Sequence, residues 1–168
     1  MNSPTLYIFS GLPAVGKSTL AQLLSQRMQI MYIRIDTVEQ NLQDMYGSDV
    51  KNRGYLLSHR IIEDNLSLGL SAISDSCNTL EFVRREWESV ARRSGAKFVH
   101  IEVVCSDLVE HENRAKNRNI TVENLVPPSW TQIQERAYEP WSAEVITVDT
   151  AGKSVESSYQ ELQSKLIL

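Results

Sequence analysis

Residues 11–18 read Gly-Leu-Pro-Ala-Val-Gly-Lys-Ser, a complete G-x-x-x-x-G-K-[ST] spacing. Gly11 and Gly16 allow backbone angles that a Cβ resists, so the turn through Leu12, Pro13, Ala14 and Val15 can wrap its backbone around phosphate oxygens. Lys17 adds a mobile positive charge. Ser18 and Thr19 open a helix whose N-terminus favours the same anions, and the Ser18 hydroxyl can hold Mg²⁺. The chemistry implied is the binding of ATP with Mg²⁺, and the apolar run Thr5–Phe9 supplies the strand that the motif requires.

Two acids and three arginines suit phosphoryl transfer. Asp36 and Asp75 each end a strand-like run, and the C-terminal ends of parallel strands form the ligand crevice of an open sheet, so both carboxylates are expected to face one pocket. Asp36 is the candidate base toward an acceptor hydroxyl, and Asp75 the metal-side acid beside Ser18. Arg114 and Arg118 are four apart on one helical face, with Arg136 beyond an aperiodic segment, so closure of that segment would carry guanidinium groups onto the transferred phosphate. Arg114 and Arg118 also count as nucleotide-binding residues, and Lys17, Asp36, Arg118 and Arg136 as catalytic ones. Arg53, Arg60, Arg84 and Arg85 read equally as acceptor ligands and as solvated helix surface. His59, His100 and His111 lack metal-ligand spacing, and Trp87, Trp130 and Trp141 read as core or hinge packing. Asp149-Thr150-Ala151-Gly152 copies the D-x-x-G switch of GTPases but follows the last strand, and no N-K-x-D follows it, so the loop 149–153 reads instead as the base-side wall of the pocket.

The elements that must position these groups alternate. Strand-like runs at 5–9, 30–35, 71–74, 97–104 and 144–148 are separated by helical patterns, which predicts a three-layer α/β fold with a five-stranded parallel sheet covered on both faces. The first helix is expected over Ser18 to about Met28, with Leu20, Leu23 and Leu24 inward. A second starts at Asp36-Thr37, with Val38, Leu42 and Met45 as its inward stripe. A third covers 55–69. Thr79 caps a fourth that carries Phe82, Val83, Trp87 and Val90 inward and ends at Ser94-Gly95. Ser106-Asp107 opens a charged helix reaching Asn117, residues 118–128 form a mobile lid, and Val155–Leu166 form a terminal amphipathic helix. Strand order does not follow from the sequence.

A chain of 168 residues is expected to form one domain. Met1-Asn2-Ser3-Pro4 leads straight into the first strand without a basic or long apolar segment, and Cys77 and Cys105 lie far apart after apolar runs, so a cytoplasmic setting with reduced thiols and no membrane span is expected. The net charge of −4 argues against a partner such as duplex nucleic acid and for a small-molecule acceptor. The protein is expected to be a monomer or homodimer.

Several segments carry a resemblance: GLPAVGKST at 11–19, IRIDTVEQ at 33–40, ISDSCN at 73–78, REW at 85–87, IEVVCSD at 101–107, EHENRAKNR at 110–118 and RAYEPW at 136–141. On these the chain resembles the small P-loop kinases labelled "AAA family ATPase" or "predicted kinase", related to zeta toxins, chloramphenicol phosphotransferase and polynucleotide kinases. The resemblance implies that Asp36 acts as base toward the acceptor, and that Arg114 and Arg118 serve adenine and phosphate. It implies an ATP-dependent phosphotransferase acting on a hydroxyl. A nucleotide-binding regulatory ATPase and a kinase of nucleic acid 5′-hydroxyl ends are the alternatives, and a mechanical AAA+ ATPase is not expected because second-region motifs are lacking.

Overall fold

The computed structural model describes residues 3–47 and 52–166; Met1 and Asn2, quoted above as leading into the first strand, lie outside them. Five strands, β1 (Thr5–Ser10), β2 (Met31–Arg34), β3 (Ala72–Asp75), β4 (Lys97–Val104) and β5 (Ile146–Asp149), pair in parallel in the order β2-β3-β1-β4-β5. The helices are α1 (Lys17–Met28), α2 (Ile35–Tyr46), α3 (Arg53–Ser67), α4 (Glu81–Arg93), α5 (Leu108–Asn117), α6 (Trp130–Gln134) and α7 (Val155–Leu166). This is the expected three-layer α/β architecture.

Central β1 reads as continuously apolar because both of its faces are covered. Leu6 and Ile8 meet Ile62 and Leu66 of α3 and Trp87 and Val90 of α4. Tyr7 and Phe9 point the other way, into Leu20 and Leu24 of α1 and Leu162 of α7. The order also makes β1 the strand where neighbours diverge, with β3 on one side and β4 on the other. The crevice beyond its carboxyl end is therefore the place for a ligand.

Two helices differ from the sequence expectation. Helix α4 is not capped by Thr79; Leu80 occupies the N-cap with no side-chain cap, and the Glu139 carboxylate accepts from the Glu81 N–H at 2.5 Å. A group 58 positions away does what a neighbouring hydroxyl was expected to do. Phe82 is 65% exposed, and Arg84 takes the buried place instead. On α2 the stripe fails at Met45, which is 64% exposed, because the helix packs on α3 at the sheet edge and buries Ile35 and Gln40. Gly54 allows that close crossing, since a Cβ there would stand 2.1 Å from Glu39 Cγ.

Candidate functional site

The phosphate loop spans the gap between β1 and α1. Gly11 has φ +141°, and a Cβ on it would sit 2.3 Å from the Val103 carbonyl oxygen, so no other residue fits where the loop leaves the sheet. Ala14 and Gly16 also take positive φ, 68° and 94°, and Gly16 is the N-cap of α1. Three supports hold the turn. The Gly11 N–H donates to the Cys77 carbonyl at 3.0 Å, buried His111 of α5 donates through Nε2 to the Pro13 carbonyl at 2.8 Å, and Thr150 Oγ1 lies 2.8 Å from the Val15 carbonyl.

Lys17 begins α1 with its ammonium 2.7 Å from Asp75 Oδ1, and Tyr32 of β2 donates to Asp75 Oδ2 at 2.7 Å. Burial alone would push the Asp75 carboxyl up. The Lys17 charge and hydrogen bonds from Lys17, Ser18 and Tyr32 outweigh it and hold the carboxyl below its usual range. Burial likewise opposes the Lys17 charge, and the Asp75 carboxylate overrides it, leaving the ammonium harder to deprotonate than usual. Asp75 does not face the cleft with Asp36, as the sequence suggested. Its side chain is fully buried under the loop, because the register that pairs it with Phe9 sets it beneath α1.

Above the loop lies a cleft of about 1290 Å³, walled by residues 12–14 and 16–20, by Asp36, by Arg114 and Arg118 of α5 and its end, by the segment 125–128, by Arg136, and by Thr150 and Lys153 after β5. Asp36 sits in the first turn of α2. One turn further, burial and then the Asp36 charge push the Glu39 carboxyl up to about 7. Arg114 is held away from free solvent: it donates to Glu110 and to Thr150 Oγ1 and O, the latter at 2.7 and 3.0 Å. Arg118 is the C-cap of α5, with extended backbone, and its Nε is buried without a partner. Arg136 reaches Cys77 Sγ at 3.3 Å. The loop 149–153 sits against the phosphate loop through Thr150 and against α5 through the Gly152 N–H, which donates to Glu110 at 2.8 Å.

The segment 118–128 lacks regular structure and ends at α6, whose capping box pairs Ser129 with Gln132. Its tip docks on α2, Asn124 donating to Asp44 at 3.0 Å, and Thr121 accepts from Arg34 at 2.8 Å. Sequence reading missed three participants. Arg34, directly before α2, lines the cleft with an unpartnered buried Nε, Tyr32 braces Asp75, and Asn78 ties β1 to α4 through Phe9 O and Trp87. Arg34 stood in plain view two positions before Asp36. Arg84 lies outside the cleft: it is 3% exposed and donates to the carbonyls of Asn78, Thr79, Glu139 and Pro140. Arg85 pairs with Glu81, and both arginines border a separate, smaller hollow that the Glu81 and Glu88 carboxylates share. The three histidines are buried, and among the described residues no cluster of His, Cys, Asp and Glu is placed to hold a metal by itself.

Fold and loop together define a P-loop nucleotide-binding protein. The AAA domain family matches residues 6–140, and the chain belongs to that family. No curated protein matches it significantly. Among solved structures it is similar to a protein of Chloroflexus aurantiacus J-10-fl taken to be a kinase, with 20% identity over 99% of this chain and 98% of that one and a TM-score of 0.74. A gluconokinase of Sinorhizobium meliloti 1021 gives 14% identity, 99% and 94% coverage and a TM-score of 0.70. The APS kinase CysC of Mycobacterium tuberculosis, in complex with AMPPNP and APS, gives 16% identity, 100% coverage of both chains and a TM-score of 0.70. At these identities the likeness is one of fold. No described helix is long and apolar enough to cross a membrane.

Proposed function

We propose that the protein is a Mg²⁺- and ATP-dependent phosphotransferase that moves the γ-phosphoryl group of ATP to a hydroxyl of a small molecule. One observation carries this reading: Asp36 faces the phosphate loop across a cleft that also holds Lys17, Arg118 and Arg136. The kinases sharing the fold support it, two of them acting on small molecules by their names.

The donor set suits Mg²⁺, since the Ser18 hydroxyl stands in the first turn of α1 at the cleft wall, close enough to the buried Asp75 carboxylate to help keep it ionised. When bound there, the ion would supply charge neutralisation for the triphosphate. The loop amides and Lys17 hold the phosphates, and Asp75 keeps Lys17 charged and aimed. Asp36 accepts the acceptor's hydroxyl proton. The acceptor oxygen then bonds to the γ-phosphorus as the bridging P–O bond to the β-phosphate breaks, releasing ADP. Arg118 and Arg136 neutralise the charge that develops on the transferred group.

The test is ADP release with Mg²⁺-ATP across sugars, sugar acids, nucleosides and short 5′-hydroxyl oligonucleotides, run beside Asp36→Ala. Release that depends on an acceptor and drops about 10²-fold or more in the variant is expected. Equal slow hydrolysis in both proteins, indifferent to every acceptor, would replace this reading with that of a regulatory ATPase.

A further inference from the structure

The cations around the cleft divide into those already neutralised and those that are not. Lys17 is paired with Asp75, Arg114 with Glu110, and Lys153 with Glu161. Arg34, Arg118 and Arg136 form no ion pair among the described residues, and the Nε atoms of Arg34 and Arg118 are shut off from solvent with no hydrogen-bond partner. Three carboxylates line the same cleft. Asp107 caps α5 through the N–H groups of Val109 and Glu110, and Glu110 is taken by Arg114, which leaves Asp36 alone to face three guanidinium groups. The fields of these groups overlap: the charge on Arg34 disfavours that on Arg118, Asp36 favours it, and Arg136 touches Cys77 beside them.

Guanidinium groups without ion partners thus outnumber the carboxylates left to face them, and such an excess of positive charge is unfavourable unless an anionic ligand offsets it. Arg118 and Arg136 are assigned above to the transferred phosphoryl group. Arg34 has no such task. It lines the cleft two residues before Asp36, and like Asp36 it is near enough to Arg118 to bear on its charge, which sets it on the acceptor side of the site.

The geometry points to an acceptor that carries its own anion, a carboxylate, sulfate or phosphate near the reacting hydroxyl, held by the Arg34 guanidinium. This rests on the phosphotransferase reading. Arg34 is then the residue that separates an acidic alcohol from its neutral counterpart. Because its Nη1 also donates to Thr121 of the lid, binding of the anion draws the lid segment and the acceptor into one network.

Two measurements test the anion seat apart from turnover. In the first, the nucleotide site is filled with Mg²⁺ and AMPPNP, and thermal melts are followed as sodium sulfate replaces sodium chloride at constant ionic strength. Sulfate strengthens burial in any protein, so the comparison is between variants. Wild type is expected to gain a saturable rise in melting temperature that Arg34→Gln loses, with the sulfate midpoint at least about tenfold weaker. Arg34→Lys should keep part of the response, and Thr121→Val should keep it whole. A Thr121→Val protein that behaves like Arg34→Gln would make Arg34 a lid tether only, and a sulfate response equal in wild type and Arg34→Gln would overturn the proposal.

The second measurement compares ADP release with matched pairs: a sugar acid against its sugar, a sugar phosphate against the same sugar, a sulfate ester against its alcohol. The acidic member of one pair is expected to be preferred, which names the anion, and Arg34→Gln should raise its KM far more than it lowers kcat. Neutral alcohols phosphorylated as well as acidic ones, with KM indifferent to Arg34→Gln, would sink the anion seat and leave the phosphotransferase standing. An Arg34-dependent sulfate response without turnover of any alcohol would do the reverse, keeping the seat and removing the phosphotransferase reading.

Discussion

At the scale of single residues, most charges at the site have their burial offset by specific partners, as Lys17 and Asp75 do, and Glu39, one turn beyond Asp36, is a carboxyl that burial has pushed toward its neutral form. Its carboxyl is pushed up to about 7 by burial against α3 and by the Asp36 charge, from an ordinary 4.5. Between those values the folded protein holds a proton that the unfolded chain has released. The protonated carboxyl therefore contributes stability in full below the lower value, loses it as pH rises between the two, and contributes none above the higher. Glu39→Gln should match wild type near pH 4.5 and exceed it above pH 7 by about 1 kcal/mol, a value reduced for the water that reaches the carboxyl. Urea unfolding at the two pH values measures this, and a stability difference independent of pH would mean that the carboxyl titrates normally. The sequence offered Asp36 as a candidate base but gave no hint of Glu39, since its raised value arises from Gly54 letting α3 press against it. Asp75 was half legible. Its place at a strand end could be read, whereas its burial beneath Lys17 depends on β3 lying beside β1.

At the scale of elements, helix limits and strand runs were largely legible because capping residues and apolar periods are local signals. Asp107 caps α5 with two backbone hydrogen bonds, as its position before a charged helix implied, and α7 spans Val155–Leu166 as read. What local signals could not show was how the lid rests. Expected as a mobile segment over 118–128, it lies against α2 through Asn124 and Asp44, and the hydrogen bonds from Asn124 and Gln40 hold the Asp44 carboxyl below its ordinary range. A solvent-exposed hydrogen bond of this kind acts locally, on how often the lid opens, more than on global stability. Asp44→Ala should therefore speed amide hydrogen exchange in the lid by up to about tenfold without ligand, leaving the sheet amides unchanged. Asp44 is chosen over Asn124 because Asn124 holds φ 61°, where a new side chain would add backbone strain of its own. Unchanged exchange in the lid would show that Val122, buried beneath it, anchors the segment instead.

At the scale of the whole molecule, the sheet order is what brings distant segments to one cleft, and it was not legible, because pairing between strands leaves no mark in a single sequence beyond their apolar character. The same order lets the chain between α6 and β5 cross back over α4, where Arg84 gathers it. The Arg84 guanidinium lies 3.9 Å from the Trp141 ring centroid and donates to four backbone carbonyls, two on each side of the crossing. Tyr138 and Trp141 both donate to Glu102 of β4 at 2.8 Å, closing the strap onto the sheet. Read from sequence, Arg84 was a possible acceptor ligand or a solvated side chain, and its burial makes it neither. Arg84→Met keeps most of the apolar stem but leaves those carbonyls short of donors, which should cost about 3 kcal/mol of global stability. Chemical denaturation with calorimetric titration of ATP below the transition separates the two possible roles: stability should fall while affinity for ATP in the folded protein stays within about twofold. An affinity that collapsed with stability intact would place Arg84 in ligand binding after all. The strap also carries Arg136, a residue of the cleft wall, at its start, so if the proposed phosphotransferase reading holds, loosening the strap should slow turnover before it weakens nucleotide binding.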